Sequence, residues 1–171
     1  MEAQQLVNEA NRLVSLGSLD VAMEAYHRSL QIHPTSTAHY NMANIYFQRS
    51  DRADARKHWQ KSLSLDQAHA DAHVNLGNLE LLEGHADVAI SHYKHALQLR
   101  PNDAETLCNL AMAQDRKGDL PDAISLYERA KALLSEQTSD DMTHDERQQV
   151  LSKLDVMLRN AKLRHGRGSN E

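Results

Sequence analysis

Residues 70–103 read ADAHVNLGNLELLEGHADVAISHYKHALQLRPND, which has the form of two short helices joined at Gly84. The same landmarks return when the sequence is shifted by 33 or 34 residues, so the pattern also covers 3–35, 36–69 and 104–137. A fixed period of this length is typical of a stacked array, because each helical hairpin buries its apolar face against its neighbours. The sequence therefore predicts four helix-turn-helix repeats in residues 1–137.

Four kinds of position recur with this period, and each has a physical reason. The joint between the two helices falls at Gly17, Ser50, Gly84 and Gly118. Small residues, which let two helix axes approach closely, recur in the first helix at Ala10, Ala43, Gly77 and Ala111 and in the second at Ala22, Ala55, Ala89 and Ala123. A large aromatic residue follows in the second helix at Tyr26, Trp59, Tyr93 and Tyr127. These positions predict the packing of each hairpin.

The C-terminal part of the chain departs from the repeat. Residues 138–142 are polar and predict a loop, after which Thr143 and Glu146 have the spacing of a capping box. A single apolar stripe then predicts a helix over 143–165 that covers the open face of the last repeat. The ending, 166–171, has two glycines and no apolar side chain, which predicts a disordered tail.

Composition limits the classes of partner and the cellular location. The formal net charge is −5 and the pI is about 6.1, which argues against nucleic acid as the main partner. The single cysteine excludes an internal disulfide and favours a reducing compartment. The first residues lack the pattern of a signal peptide, and no apolar run is long enough for membrane insertion. We therefore expect an intracellular, cytoplasmic protein.

The recurring residues resemble the tetratricopeptide repeat (TPR) family over residues 3–137. The resemblance implies an all-α fold, a right-handed superhelical array of four TPR helix-turn-helix repeats, here followed by a C-terminal capping helix. It also implies that the first helix of each repeat lines a concave groove that binds other proteins.

Asparagine is concentrated on the helix face that this resemblance assigns to the groove. Seven of the ten asparagines in the chain lie there: Asn8, Asn11, Asn41, Asn44, Asn75, Asn78 and Asn109. Asparagine is a poor residue for the middle of a helix, so helix formation does not explain the pattern. Two interpretations remain open. The amides form a ladder that binds the backbone of an extended partner segment, or they bond neighbouring helices to one another.

Two acidic residues on the same face, Asp71 and Glu105, predict a partner segment with a basic residue. TPR co-chaperones of Hsp70 and Hsp90 carry lysine and arginine there to clamp a C-terminal carboxylate. This sequence has Val7, Asp71 and Asn75 at the comparable positions. The carboxylate-clamp function is therefore disfavoured.

No catalytic, cofactor or metal site is predicted. The eleven histidines include the pairs His69–His73 and His92–His95, but zinc needs three or four ligands and no cysteine accompanies these pairs. Cys108 has no base that the sequence places beside it, and it is interpreted as a small apolar contact.

The sequence thus favours a non-enzymatic adaptor or scaffold that binds an extended segment of another protein through its concave asparagines, Asp71 and Glu105. The alternative is a structural or assembly subunit of a larger multiprotein complex, which would use its outer face or its ends. The partner, the pathway and the oligomeric state are left open.

Overall fold

The computed structural model describes residues 2–136 and 143–168, and every regular element in these ranges is an α-helix. The helices are α1 (Glu2–Ser15), α2 (Leu19–Ile32), α3 (Ser36–Gln48), α4 (Arg52–Leu65), α5 (Ala70–Leu82), α6 (Ala86–Leu99), α7 (Ala104–Lys117), α8 (Leu120–Glu136) and α9 (His144–Gly168). No strand occurs in the described part of the chain, which confirms the all-α prediction. The helices form two compact units, Met1–Leu79 and Glu80–Glu171.

Side-chain caps explain where several helices begin. Thr35 Oγ1 accepts a hydrogen bond from the Ala38 amide (3.2 Å) before α3, and Asp51 Oδ1 accepts one from the Asp54 amide (3.2 Å) before α4. Asp103 accepts amide bonds in the same way at the start of α7. Each cap satisfies an N–H group that the first turn of a helix leaves without a partner.

The predicted capping box before α9 is confirmed. Thr143 Oγ1 accepts from the Glu146 amide (3.3 Å), and a Glu146 carboxylate oxygen accepts from the Thr143 amide (2.9 Å). The hydrogen bonds from Thr143 lower the pKa of Glu146. α9 then continues to Gly168, three residues beyond the predicted end, so residues 166–168 are helical where a disordered tail was expected. The predicted loop at 138–142 and the rest of the predicted tail, 169–171, lie outside the described residues.

The joints between paired helices adopt the left-handed conformation that their glycines suggested. Gly17, Gly84 and Gly118 have φ of 74°, 88° and 92°. Ser50 occupies the equivalent place with φ of 65°, and it is the one non-glycine residue at positive φ in the described ranges. An L-residue is strained in this region, so the second joint keeps the turn at an energetic cost.

In unit 1 (Met1–Leu79), helix pairs pack through the small residues predicted to lie at the crossings. Ala10, Ala22, Ala43 and Ala55 are fully buried, and Tyr26 and Trp59 are buried beside them. Two buried serines also bond to neighbouring helices. Ser29 Oγ donates to the Ala3 carbonyl, and Ser62 Oγ lies 2.8 Å from Ser36 Oγ. These bonds satisfy hydroxyls that burial would otherwise leave without a partner.

In unit 2 (Glu80–Glu171), α9 packs against α8 and buries part of its apolar stripe. Leu154 and Ala161 are buried in one cluster with residues of α7 and α8. Three ion pairs also hold α9 in place: Lys131–Asp155, Lys162–Glu128 and Arg164–Asp115. Because ion pairs near the protein surface contribute little each, the apolar contacts are the main support.

None of the helices described by the structure has the length and apolar character needed to cross a membrane.

Candidate functional site

Unit 1 contains a groove of about 310 Å³ between α1, α2 and α3, named here the α1–α3 groove. It is lined by Asn11, Val14, Tyr26, Asn41, Asn44, Ile45 and Gln48. Three of these residues are asparagines that the sequence singled out. Val14 and Ile45 supply apolar surface, Tyr26 supplies a buried phenol, and Gln48 supplies a longer amide side chain. The groove therefore combines polar and apolar contacts.

Asn11 is the hydrogen-bond acceptor at one side of this groove. Its Oδ1 accepts from the Tyr26 hydroxyl at 2.5 Å and from Asn41 Nδ2 at 2.7 Å. Burial raises the pKa of Tyr26, while a hydrogen bond with Asn41 acts in the opposite direction. The phenol therefore stays protonated at neutral pH and can keep donating to Asn11.

Asn44 repeats the arrangement one helical hairpin later. Its Oδ1 accepts from Trp59 Nε1 and from Asn75 Nδ2, both at 3.0 Å, and Asn75 Nδ2 also lies 3.3 Å from the Tyr40 hydroxyl. Indole N–H is a donor only, so the Asn44 atom that faces it must be the oxygen. The bond to Trp59 therefore fixes the orientation of Asn44, and Asn44 fixes that of Asn75.

The hydrogen bonds around Asn11 and those around Asn44 follow the same pattern. The asparagine oxygen of a first helix accepts from the aromatic residue fifteen positions later, and from an asparagine in the first helix of the following repeat. We name these bonds the asparagine network. It explains why asparagine is found in the middle of these helices, since it links adjacent hairpins through their polar side chains.

The network uses some of the polar atoms that a ladder would offer to a partner. The oxygens of Asn11 and Asn44 are each engaged twice. Within the described residues, no hydrogen bond uses Asn41 Oδ1, and Asn41 is only half-buried. Asn41 therefore keeps an acceptor on the wall of the α1–α3 groove.

The remaining predicted residues lie apart from this groove. Asn8 is exposed and accepts a bond from Gln4 Nε2 at 3.1 Å, and Asp71 is also exposed. Asn78 is half-buried. Asn109 is only 9% exposed, so it offers little surface to a partner.

Val14, Tyr26, Ile45 and Gln48 were missed by the sequence reasoning. The role of Tyr26 could have been predicted, because a buried tyrosine normally finds a hydrogen-bond partner for its hydroxyl.

A second, more apolar cavity of about 220 Å³ lies in unit 2 and is named here the α7–α9 cavity. Its lining residues are Ala104, Glu105, Cys108, Leu134 and Val150. Burial, and then the nearby carboxylates of Glu105 and Asp103, raise the pKa of the Cys108 thiol to about 11. The thiol is therefore neutral at physiological pH, a form that is a poor nucleophile and a poor metal ligand.

Two clusters contain histidine: one group of a histidine with two glutamates, and one pair of histidines. Glu80, Glu83 and His85 are the one group of three possible metal ligands in the described ranges, and His85 Nδ1 lies 2.8 Å from a Glu80 oxygen. His39 and His58 form a pair whose Nδ1 atoms are 3.1 Å apart. Burial lowers the pKa of both, that of His58 to about 4, so this pair is neutral at pH 7.

Comparison with known proteins identifies the family. The model of the tetratricopeptide repeat family matches residues 34–102 and 69–136, which together make up more than half of the chain. A comparison with curated protein sequences gave no significant match.

Solved structures share the fold at low sequence identity. The MamA protein is 18% identical, with a TM-score of 0.70 over 82% of this chain and 78% of that one. YrrB, described as a TPR protein with an unusual peptide-binding site, is 24% identical, with a TM-score of 0.69 over 75% and 66% of the two chains. The Yersinia enterocolitica type III secretion chaperone SycD, in complex with a peptide of the translocator YopD, is 23% identical, with a TM-score of 0.65 over 74% and 92%. These likenesses concern the fold alone. The family match, together with the recurring joints, small residues and aromatics, shows that the chain belongs to the tetratricopeptide repeat family.

Proposed function

We propose that this protein is a non-enzymatic adaptor that binds an extended segment of another protein in the α1–α3 groove. The observation that carries the proposal is the composition of that groove. It places the half-buried Asn41 and the exposed Gln48 beside the apolar side chains of Val14 and Ile45. An amide side chain can both donate to and accept from a peptide backbone, which has the same two kinds of group.

The asparagine network supports this function indirectly. Holding Asn11, Asn41 and Asn44 in fixed orientations lowers the conformational entropy that the groove loses when a segment binds. In this proposal the network positions the groove, whereas Asn41 Oδ1 and the Gln48 amide contact the backbone of the segment. The exposed carboxylates of Asp71 and Glu105 favour a segment that contains lysine or arginine.

Two related folds are consistent with a peptide ligand. The SycD structure contains a peptide of YopD, and YrrB is described by its peptide-binding site. At their low identity these proteins do not identify the ligand of this chain, but they support a protein segment as its chemical class.

The assembly-subunit alternative is favoured by a different observation. α9 exposes Val156 (54%) and Leu163 (56%), which lie seven residues apart on one side of the helix. An apolar strip of this kind suits a contact with another subunit. If assembly through α9 is the function, Val156→Glu with Leu163→Glu abolishes complex formation and Gln48→Arg does not.

A selection from a library of random linear peptides of about twelve residues tests the groove. We expect Gln48→Arg to lower the affinity of selected peptides by about tenfold or more, because the long side chain obstructs the groove and repels basic residues. Gln60→Arg, a matched change at an exposed position of α4 outside the groove, controls for added charge. Affinities are measured by fluorescence polarisation, and melting temperatures verify folding. Failure to enrich any peptide, or a set of selected peptides that all bind Gln48→Arg as tightly as the wild type, would contradict the proposal.

A further inference from the structure

The α7–α9 cavity has features that the groove in unit 1 lacks. Its walls come from α7, α8 and α9, and four of its five lining residues are apolar or carry a neutral thiol: Ala104, Cys108, Leu134 and Val150. At about 220 Å³ it is larger than the roughly 150 Å³ at which an apolar cavity already accepts benzene. A leucine, methionine or phenylalanine side chain therefore fits within it.

A carboxylate lies at this cavity. Glu105 is the fifth lining residue and is exposed, and no ion pair engages it among residues 2–136 and 143–168. Asp103, which also lies near Cys108, is already engaged by the Thr106 hydroxyl at 2.8 Å and by Arg100 at 3.6 Å. The charge that remains to be paired at the cavity is therefore negative and belongs to Glu105.

We propose that the α7–α9 cavity is a specificity pocket for a partner segment in which a large aliphatic or aromatic residue lies within two positions of a lysine or arginine. The apolar side chain fills the cavity, and the basic side chain pairs with Glu105. This inference rests on the proposed function, because it assumes that the protein binds an extended protein segment. It adds the chemical character of a segment that the cavity in unit 2 accepts.

Other occupants fit the cavity less well. An anionic lipid would bring its negative head group towards Glu105, where the like charges repel. A metal ion would need more than one charged or neutral-imidazole ligand, and the lining supplies one carboxylate and a neutral thiol. A segment with an apolar residue close to a lysine or arginine can fill the apolar cavity and pair with the Glu105 carboxylate.

A selection from the same library on the Gln48→Arg variant, in which the α1–α3 groove is obstructed, provides the first test, because the inference predicts the sequences of peptides that bind unit 2 without that groove. Enriched peptides should share a leucine, methionine or phenylalanine within two positions of a lysine or arginine. In synthetic peptides with this motif, replacing either residue by alanine should lower affinity by about tenfold. Enrichment on this variant of peptides without the motif, or no enrichment on it, would overturn the inference, and the proposed function would stand if peptides selected on the wild-type protein are weakened by Gln48→Arg. If no peptide is enriched on the wild-type protein, the proposed function fails and this inference fails with it.

Variants of the cavity provide the second test. Cys108→Leu fills the cavity from α7 and should weaken the motif peptides about tenfold, while its melting temperature is unchanged or higher. Met112→Leu, on the same helix but outside the cavity lining, is the matched control. Should Cys108→Leu not fold, Val150→Phe fills the cavity from α9. A filled, folded variant that binds the motif peptides like the wild type would show that the cavity is only a packing void.

A charge-neutralising variant tests the role of the Glu105 carboxylate. Glu105→Gln should weaken the motif peptides severalfold and reduce the salt dependence of binding, whereas Glu24→Gln, an exposed carboxylate of α2, should do neither.

Cys108 is the only cysteine, so its alkylation by iodoacetamide reports on this cavity alone. A bound motif peptide should slow that alkylation at least fivefold. Unchanged alkylation at saturating peptide would overturn the assignment.

Discussion

At the scale of single residues, Ser50 is the place where this repeat array departs most clearly from a relaxed backbone. Its φ of 65° matches the joints at Gly17, Gly84 and Gly118, yet serine carries a side chain. A Cβ added at any of those three glycines would meet no atom within 4 Å. The cost of a side chain at these joints therefore arises from the backbone conformation and not from crowding.

We predict that Ser50→Gly stabilises the protein by about 0.5–1 kcal/mol. Relief of a left-handed L-residue is worth about 1–2 kcal/mol, and the extra freedom of glycine in the unfolded chain offsets part of it. The reciprocal variant Gly17→Ser, at a joint of the same unit, should destabilise by a similar amount. Urea unfolding followed by circular dichroism measures both changes. If Ser50→Gly is destabilised instead, the contacts of the serine side chain stabilise the folded protein by more than the backbone strain destabilises it.

The asparagines mark the limit of what the sequence could predict at this scale. Their period was visible, but an amide that repeats on a helix face has the same pattern whether it bonds a partner or a neighbouring helix. The deciding contacts join Asn11 to Tyr26 and Asn44 to Trp59 across fifteen residues. That spacing is present in the sequence, and it also separates Asn78 from Tyr93. It becomes informative only when the aromatic is treated as a hydrogen-bond donor as well as a packing residue.

At the scale of helices, α3 and α4 are joined by the neutral His39–His58 pair. With their Nδ1 atoms 3.1 Å apart, one ring must donate and the other must accept. Burial is the main cause of the lowered pKa of His58, and His39, Lys57 and His27 add to it, while Asp54 opposes it. Protonation of both rings would bring two N–H groups face to face and break the bond.

This pair predicts a loss of stability in acid. The pKa of His58 is about 4 in the folded protein and 6.5 in the reference state, so the unfolded chain binds more protons between these values. The free energy of unfolding should therefore fall as the pH is lowered from about 6.5 to about 4. The melting temperature of His58→Gln should fall less than that of the wild type over this range, and His33→Gln, at an exposed position, should follow the wild type. Parallel curves for His58→Gln and wild type would contradict the prediction.

The helices themselves were largely predictable, because their joints, small residues and aromatics recur with one period. α8 reaches Glu136 and the Thr143–Glu146 box begins α9, in agreement with the sequence pattern. The extension of α9 as far as Gly168 was not predicted from the sequence. Its last turn contains glycine and charged residues, where helix propensity and disorder compete closely.

At the scale of the whole molecule, the chain consists of two compact units that each carry one unique spectroscopic or chemical probe. Trp59, the only tryptophan, is buried in unit 1, and Cys108, the only cysteine, lies in unit 2. In repeat proteins, stability is approximately a sum of terms for individual repeats and for their nearest neighbours. A change in one unit therefore need not be transmitted in full to the other.

We predict that Leu154→Ala separates the unfolding of the two units. Leu154 is 2% exposed and packs in the cluster that joins α9 to α7 and α8, so its truncation should cost unit 2 about 2–5 kcal/mol. The urea midpoint for alkylation of Cys108 should then lie well below the midpoint for Trp59 fluorescence, whereas Val156→Ala, at an exposed position of the same helix, should leave both unchanged. If both midpoints fall together in Leu154→Ala, the neighbour coupling exceeds the lost packing energy and the array unfolds as one cooperative unit.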